Sequence, residues 1–208
     1  MKEIMDYLYK AEGDTVHYNE NEKDITSPGG VYRYAHPDAR VFKIIDRVAA
    51  KLGIVYDSKH WTKVVLNRIN EYIADNKDVQ DEIYQATVEF YEGYLKGARL
   101  ELFPSECHVA MMSMYTNSPK GAWMSVQNSI IHLVKSEQIE LSMDDISVAD
   151  GFYGNKTKKA LEHAVSKVDP MYLETLMLFN MLQYYVKLDN PTYIKGWMNR
   201  LDKLASIR

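Results

Sequence analysis

The chain predicts a mainly α fold, with one small irregular loop or hairpin placed after its first helix. Two observations carry this. Apolar residues recur at spacings of three and four through most of its 208 residues, the period of an amphipathic helix. Between the first such stretch and the second lies one polar segment, residues 14–33, with the turn cluster Ser27-Pro28-Gly29-Gly30 and little periodicity.

In residues 2–12 the apolar positions are Ile4, Met5, Leu8 and Ala11, and Gly13 stands where a helix C-cap glycine belongs. Met5, Leu8 and Glu12 share one helix stripe. A carboxylate therefore falls on the core-facing side, at the end where the macrodipole is negative. Desolvation and the dipole both disfavour its charged form, and a general acid needs such surroundings. The plainer alternative is that Glu12 turns outward at a frayed helix end. Residues 14–33 follow as a loop or hairpin, with Val31-Tyr32-Arg33-Tyr34 as the one short strand candidate. A loop of that length in a compact domain is usually functional.

Helical patterns resume after Pro37. Phe42, Ile45, Val48, Ala49 and Leu52 form a stripe closed by Gly53, and Ser58 is a candidate N-cap for a helix turning Trp61, Val65, Ile69 and Ile73 inward. Residues 78–96 carry Val79, Ile83, Ala86 and Phe90. Ser105 and Ser118 read as further N-caps, the second with Pro119 at the first helical position. Ala122, Trp123, Val126, Ile130 and Leu133 form the buried side of that helix. Residues 137–155 are irregular, with acidic Asp144-Asp145 and the turn residues Asp150-Gly151 and Gly154. Helices at about 156–166, 170–188 and 193–205 complete the chain.

Hydrophobic residues make up 46% and charged residues 26%, an ordinary globular balance. A net charge of −4 without a basic face argues against nucleic acid as a partner. The single cysteine, Cys107, excludes an internal disulfide and fits a reducing compartment. Acidic residues stand at the N-terminus where a signal peptide needs an apolar run. No apolar stretch approaches the roughly 20 residues that span a bilayer, so stable membrane insertion is not expected. The six histidines show no His-Glu-x-x-His pair or comparable ligand spacing, so neither a metal nor another cofactor is expected. Cys107, in the apolar start of a helix, reads as packing rather than as a nucleophile.

Three stretches resemble the N-acetylmuramidases of glycoside hydrolase family 108, which include many phage endolysins. That family opens with Glu-Gly-Gly at the end of helix one and an Asp-Pro-Gly-Gly loop; here Glu12-Gly13-Asp14 and Thr26-Ser27-Pro28-Gly29-Gly30 stand in those places. Its helix rich in Asn, Gly, Ala and Gln is echoed by residues 117–127, Asn117 to Gln127 with Gly121-Ala122. Its C-terminal peptidoglycan-binding segment carries Asp-Gly-x-x-Gly-x-x-Thr and ends in Gly-Trp-x-Asn-Arg. The chain has these as Asp150-Gly151-Phe152-Tyr153-Gly154-Asn155-Lys156-Thr157 and Gly196-Trp197-Met198-Asn199-Arg200. Two departures stand out. The second glycine of the first motif is Asp14, and the family's Thr-Lys-Tyr-Gly run reads Tyr32-Arg33-Tyr34-Ala35.

The resemblance implies an α+β lysozyme-like shell, with a catalytic half at 1–104 and a helical peptidoglycan-binding-like half at 105–208. It implies cleavage between N-acetylmuramic acid and N-acetylglucosamine, with Glu12 protonating the leaving oxygen. Asp24 aligns with the family's loop aspartate and is the expected partner; Asp14, Glu20 and Glu22 are spare candidates, and Thr26 is placed to hold a water. Tyr32, Arg33 and Tyr34 would line the cleft or else pin the loop to the helices, with Asn117 as a further substrate contact. A monomer acting on bacterial peptidoglycan is implied, held in the host cytoplasm until a holin-type pore releases it. A lytic transglycosylase on the same bond, using one Glu alone, and a non-catalytic wall-binding or virion structural protein both stay open.

Overall fold

The structure is a computed structural model that describes residues 6–7, 9, 12–20, 23–54, 61–142, 146–191 and 194–205. It is a mainly α fold with a small hairpin after the first helix. The chain divides into two compact units, Met1–Tyr94 and Leu95–Arg208; the resemblance implies halves at 1–104 and 105–208.

In the first unit Asp6, Tyr7, Tyr9 and Glu12 are helical; Met5, Leu8 and Ala11 lie outside the described residues. Strands β1 (His17–Asn19) and β2 (Asp24–Thr26) pair antiparallel, His17 opposite Thr26 and Asn19 opposite Asp24. The strand expected at Val31–Tyr34 is not one. Tyr32 makes a single bridge to Thr26, and the chain turns directly after it. Strands of three residues are too short for period-two alternation to mark them, and the buried apolar residues here, Val16, Ile25 and Val31, lie outside any alternating run.

Three helices follow the hairpin in the first unit. Helix α1 (Arg40–Lys51) buries Val41, Phe42, Ile44, Ile45, Val48 and Ala49. It ends in a Schellman motif: Ile54 N donates to Ala49 O at 2.9 Å and Gly53 N to Ala50 O at 3.0 Å. Gly53, at φ +66°, takes the left-handed position that motif requires. Helix α2 (Lys63–Asp75) is capped by Thr62, whose side chain accepts from Val65 N at 3.3 Å; Ser58 lies outside the described residues. Trp61, Ile69 and Ile73 are buried as expected, with Leu66 beside them and Val65 only half-buried. In helix α3 (Lys77–Tyr94) Ile83, Ala86, Thr87 and Tyr91 are buried, whereas Val79 and Phe90 are half-buried.

The second unit begins with three short 3-10 turns, Leu95–Ala98, Leu100–Leu102 and Ser105–Cys107. Ser105 is not an N-cap. Its hydroxyl donates to Glu106 Oε2 at 3.0 Å, and helix α4 (His108–Asn117) starts only after the turn. Helix α5 (Pro119–Lys135) is capped as its sequence predicts, the Ser118 side chain accepting from Gly121 N at 3.0 Å, and its whole expected stripe is buried. Helices α6 (Asn155–Lys167), α7 (Pro170–Leu188) and α8 (Ile194–Ala205) follow.

The centre of this unit is the α5–α7 pair. A Cβ on Gly121 would fall 2.5 Å from the Tyr184 ring, so the glycine sets how closely the helices approach. One turn on, Ser125 and Ser129 return their hydroxyls to the carbonyls four residues back, at 2.9 and 2.8 Å. Burial of these small polar residues therefore leaves no hydroxyl unbonded. Helix α8 packs on α7 with Ile194 and Leu201 half-buried. The side chains of Trp197 and Arg200, from the Gly-Trp-x-Asn-Arg run, lie outside the described residues.

Candidate active site

The N-terminal helix ends where expected. Gly13 N donates to Tyr9 O at 2.9 Å, closing the last turn, and Gly13 sits at φ +90°. Gly13 O then accepts from Gly29 N at 2.9 Å. This one bond joins the helix end carrying Glu12 to the Ser27-Pro28-Gly29-Gly30 turn.

That turn is built for close approach. Pro28 supplies its fixed φ at the second position, Gly29 the positive φ of +76° at the third, and Gly30 N closes it on Ser27 O at 3.0 Å. This is the residue chemistry of a type II turn. A Cβ on Gly29 would fall 2.9 Å from both the Tyr9 ring and Thr87 Cγ2. A Cβ on Gly30, itself at φ +86°, would fall 2.6 Å from Glu12 Cγ and 2.8 Å from its Cβ. The Glu12 side chain, half-buried, thus lies directly on Gly30, rather than swinging out at a frayed end. Helix α3 supports the turn from beneath: Tyr91 donates its hydroxyl to Gly29 O at 2.8 Å, and Tyr9 donates to Thr87 Oγ1 at 3.3 Å. Burial pushes the Tyr9 phenol up from its ordinary range.

The other expected site residues fall in different places. Asp24 is half-buried on β2 and its Oδ1 accepts from Ile25 N at 2.8 Å. Thr26 is 1% exposed, and its hydroxyl makes no hydrogen bond among the described residues. Arg33 is an anchor: its guanidinium bonds Asp46 Oδ2 at 2.6 Å and lies over the rings of Phe42 and Trp61. Tyr32 and Tyr34 are exposed, Tyr34 by 70%. Asn117 belongs to the second unit and donates its amide to Ser113 O at 3.0 Å, within its own helix. Glu22 lies outside the described residues.

Two grooves flank the segment after Glu12. One, of about 370 Å³, is lined by Tyr9, Asp14, Pro28, Asn70, Gln80 and Tyr84 among others. The second, of about 470 Å³, is lined by His17, Tyr18, Glu20 and Trp61 and shares Thr15 and Asn70 with the first. Asn70 fixes the wall between them. Its amide accepts from Val16 N at 2.8 Å and donates to Val16 O at 2.9 Å, satisfying a backbone pair far away in sequence. Sequence reading gave this residue no role; the available signal was a lone amide between the inward-facing Ile69 and Ile73.

In the second unit Gln127 does for the Asp150-Gly151 turn what Asn70 does for the hairpin. Its Nε2 donates to Asp150 Oδ1 at 2.8 Å and to Phe152 O at 3.1 Å, and its Oε1 accepts from Gly151 N at 2.8 Å. The Asp150 carboxyl also accepts from Phe152 N at 2.8 Å. The Phe152 amide, then the Gln127 amide, hold it below the usual carboxylate range. Two motifs that the sequence keeps apart are thus one hydrogen-bonded structure. Cys107 is fully buried, and desolvation with Glu174 and Glu106 nearby pushes its thiol up to about 12, a structural thiol rather than a nucleophile. Among the described residues no three His, Cys, Asp or Glu side chains group as a metal site, and no helix is long and apolar enough to cross a membrane.

No family model, no curated protein and no solved structure matches the chain.

Proposed function

We propose that the protein is a peptidoglycan hydrolase of the muramidase type, cleaving between N-acetylmuramic acid and N-acetylglucosamine with Glu12 as general acid. One observation supports the reading above others. Glu12 is held on Gly30, at a helix end locked to a glycine turn by the Gly13–Gly29 bond. An acid must be fixed in direction to protonate one particular oxygen, and a turn with no side chain there leaves the carboxylate a defined seat. Asp24 is the proposed partner that stabilises the developing oxocarbenium charge or activates water. Thr26, whose buried hydroxyl makes no hydrogen bond among the described residues, suits the holding of that water, since a buried polar group without a partner is costly. The proposed setting is host-cell lysis, the enzyme waiting in the cytoplasm until a holin-type pore admits it to the wall.

The test is turbidity clearing of outer-membrane-stripped Gram-negative cells by wild type, Glu12→Gln and Asp24→Asn, with reducing-end analysis of the products. Glu12→Gln keeps the fold and lowers the rate by about 10²-fold or more, the range of general acid catalysis. Retention of more than about a tenth of the activity would remove Glu12 from its role. An unchanged Asp24→Asn beside a dead Asp14→Asn moves the partner to Asp14, and 1,6-anhydro ends identify a lytic transglycosylase.

A further inference from the structure

We infer that the 370 Å³ groove floored by Tyr9 and Tyr84 binds one saccharide unit of the glycan chain beside Glu12. The inference rests on the hydrolase reading and moves substrate contact away from Tyr32, Arg33 and Tyr34. Glu12 itself does not line the groove, yet residues on both sides of it do, Tyr9 one helical turn before and Asp14 two residues after. A glycan seated there brings its next linkage toward the helix end.

The lining matches a pyranose. A sugar ring offers an apolar C–H face and a rim of hydroxyls, and so needs rings for the face and acceptors for the rim. Tyr9 and Tyr84 supply two rings with centroids 5.2 Å apart, tilted by 49°. The hydroxyl of Tyr9 is bound to Thr87, so its ring is what it offers. Tyr84 makes no hydrogen bond among the described residues, and burial, then the nearby Asp6 carboxylate, push its phenol up from its ordinary range, so its ring too is what it offers. Asp14 is exposed and its carboxylate has no ion pair or hydrogen bond among the described residues. Gln80 spends its amide N–H groups on Ile73 O and Ala74 O, at 3.0 and 2.7 Å, which leaves its carbonyl as an oriented acceptor. Two aromatic rings, a carboxylate without a partner among the described residues and a volume within the roughly 300–1,000 Å³ of small-ligand sites converge in one place. The Lys77–Asp81 pair, 2.6 Å apart, closes the rim.

The experiment titrates full-length Glu12→Gln protein with the soluble tetramer of N-acetylglucosamine, followed calorimetrically. Tyr84→Ala in that background weakens binding about tenfold or more, roughly 1.4 kcal/mol, whereas Tyr84→Phe stays within about threefold because the ring is kept. Asp14→Ala, at an exposed position, also weakens binding. Parent-like affinity in both Tyr84→Ala and Asp14→Ala overturns the inference, as does a parent that does not bind the tetramer. If cell clearing still depends on Glu12 in that case, the hydrolase reading survives and only the groove assignment falls. If Glu12→Gln clears cells like wild type while the tetramer binds through Tyr84, the reverse holds.

Discussion

The side chain of Glu12 rests on the α-carbon of Gly30, close enough that any Cβ at position 30 would collide with three of its carbons. The contact couples the candidate acid to a turn whose own backbone, at φ +86°, already calls for glycine. Gly30→Ala therefore carries two penalties: about 1–2 kcal/mol for the left-handed conformation and about 1–3 kcal/mol for overpacking against Glu12. Urea denaturation should show a combined loss of about 2–5 kcal/mol. Shortening Glu12 to Ala in the same protein removes Cγ and Cδ but keeps the Cβ that lies 2.8 Å from the added carbon, so it should recover only part of the packing penalty and leave the backbone part, a non-additivity that a double-mutant cycle measures. Additive effects would mean that the two residues do not touch in solution.

Gln127 hydrogen-bonds helix α5 to the turn at Asp150 and Gly151. Gln127→Ala strands the buried Gly151 amide and removes the donor to Asp150, at about 1–3 kcal/mol per unsatisfied buried group. A melting temperature unchanged within a degree would contradict the network.

The same turn sets a pH dependence. The folded Asp150 carboxyl lies below its ordinary value, so its contribution is present above the unfolded pKa, near 3.9. It is lost as pH falls through the lower folded value. Asp150→Asn should therefore reduce stability at pH 7 and converge on wild type at the acid end of the profile. A constant difference from pH 7 to pH 2 would show that the charge plays no part.

Cys107 should be nearly inert in the native protein. With its thiol pushed to about 12 and no exposed surface, the thiolate fraction at pH 8 is about a thousandfold below that of a free cysteine of pKa about 8.5. Iodoacetamide labelling followed by mass spectrometry should be slow when folded and fast in guanidinium. Rapid native labelling would mean that the surrounding packing opens readily.

Ending the chain after Pro191 removes helix α8 and uncovers the face of α7 bearing Leu178, Phe179 and Leu182, which line an apolar groove of about 360 Å³ with Met198 and Leu201. The truncated protein should melt at a lower temperature and bind ANS, because exposed apolar area promotes association. Wild-type melting with loss of cell association would instead assign α8 to the wall or membrane surface.

What the sequence by itself determined is whatever depends on neighbours within a turn or two. The stripes of α1 and α5, the Ser118 cap with Pro119, the start of α7 at Pro170 and the stop at Gly53 were all legible, because periodicity and capping act over a few residues. So was the end of the first helix at Glu12 and Gly13. Only the tertiary structure decided which polar residues hold the loops and turns of each unit. Asn70 clamps Val16 from 54 residues away, Gln127 organises a turn more than twenty residues on, and Arg33, readable as a cleft residue or as a loop anchor, is paired with Asp46. The three-residue strands likewise exist through pairing with each other, and no local pattern marks them. The physical reason is common to all of these. A buried amide or guanidinium is fixed by the partner that satisfies it, and that partner is chosen by the approach of distant segments, which spacing along the chain does not encode.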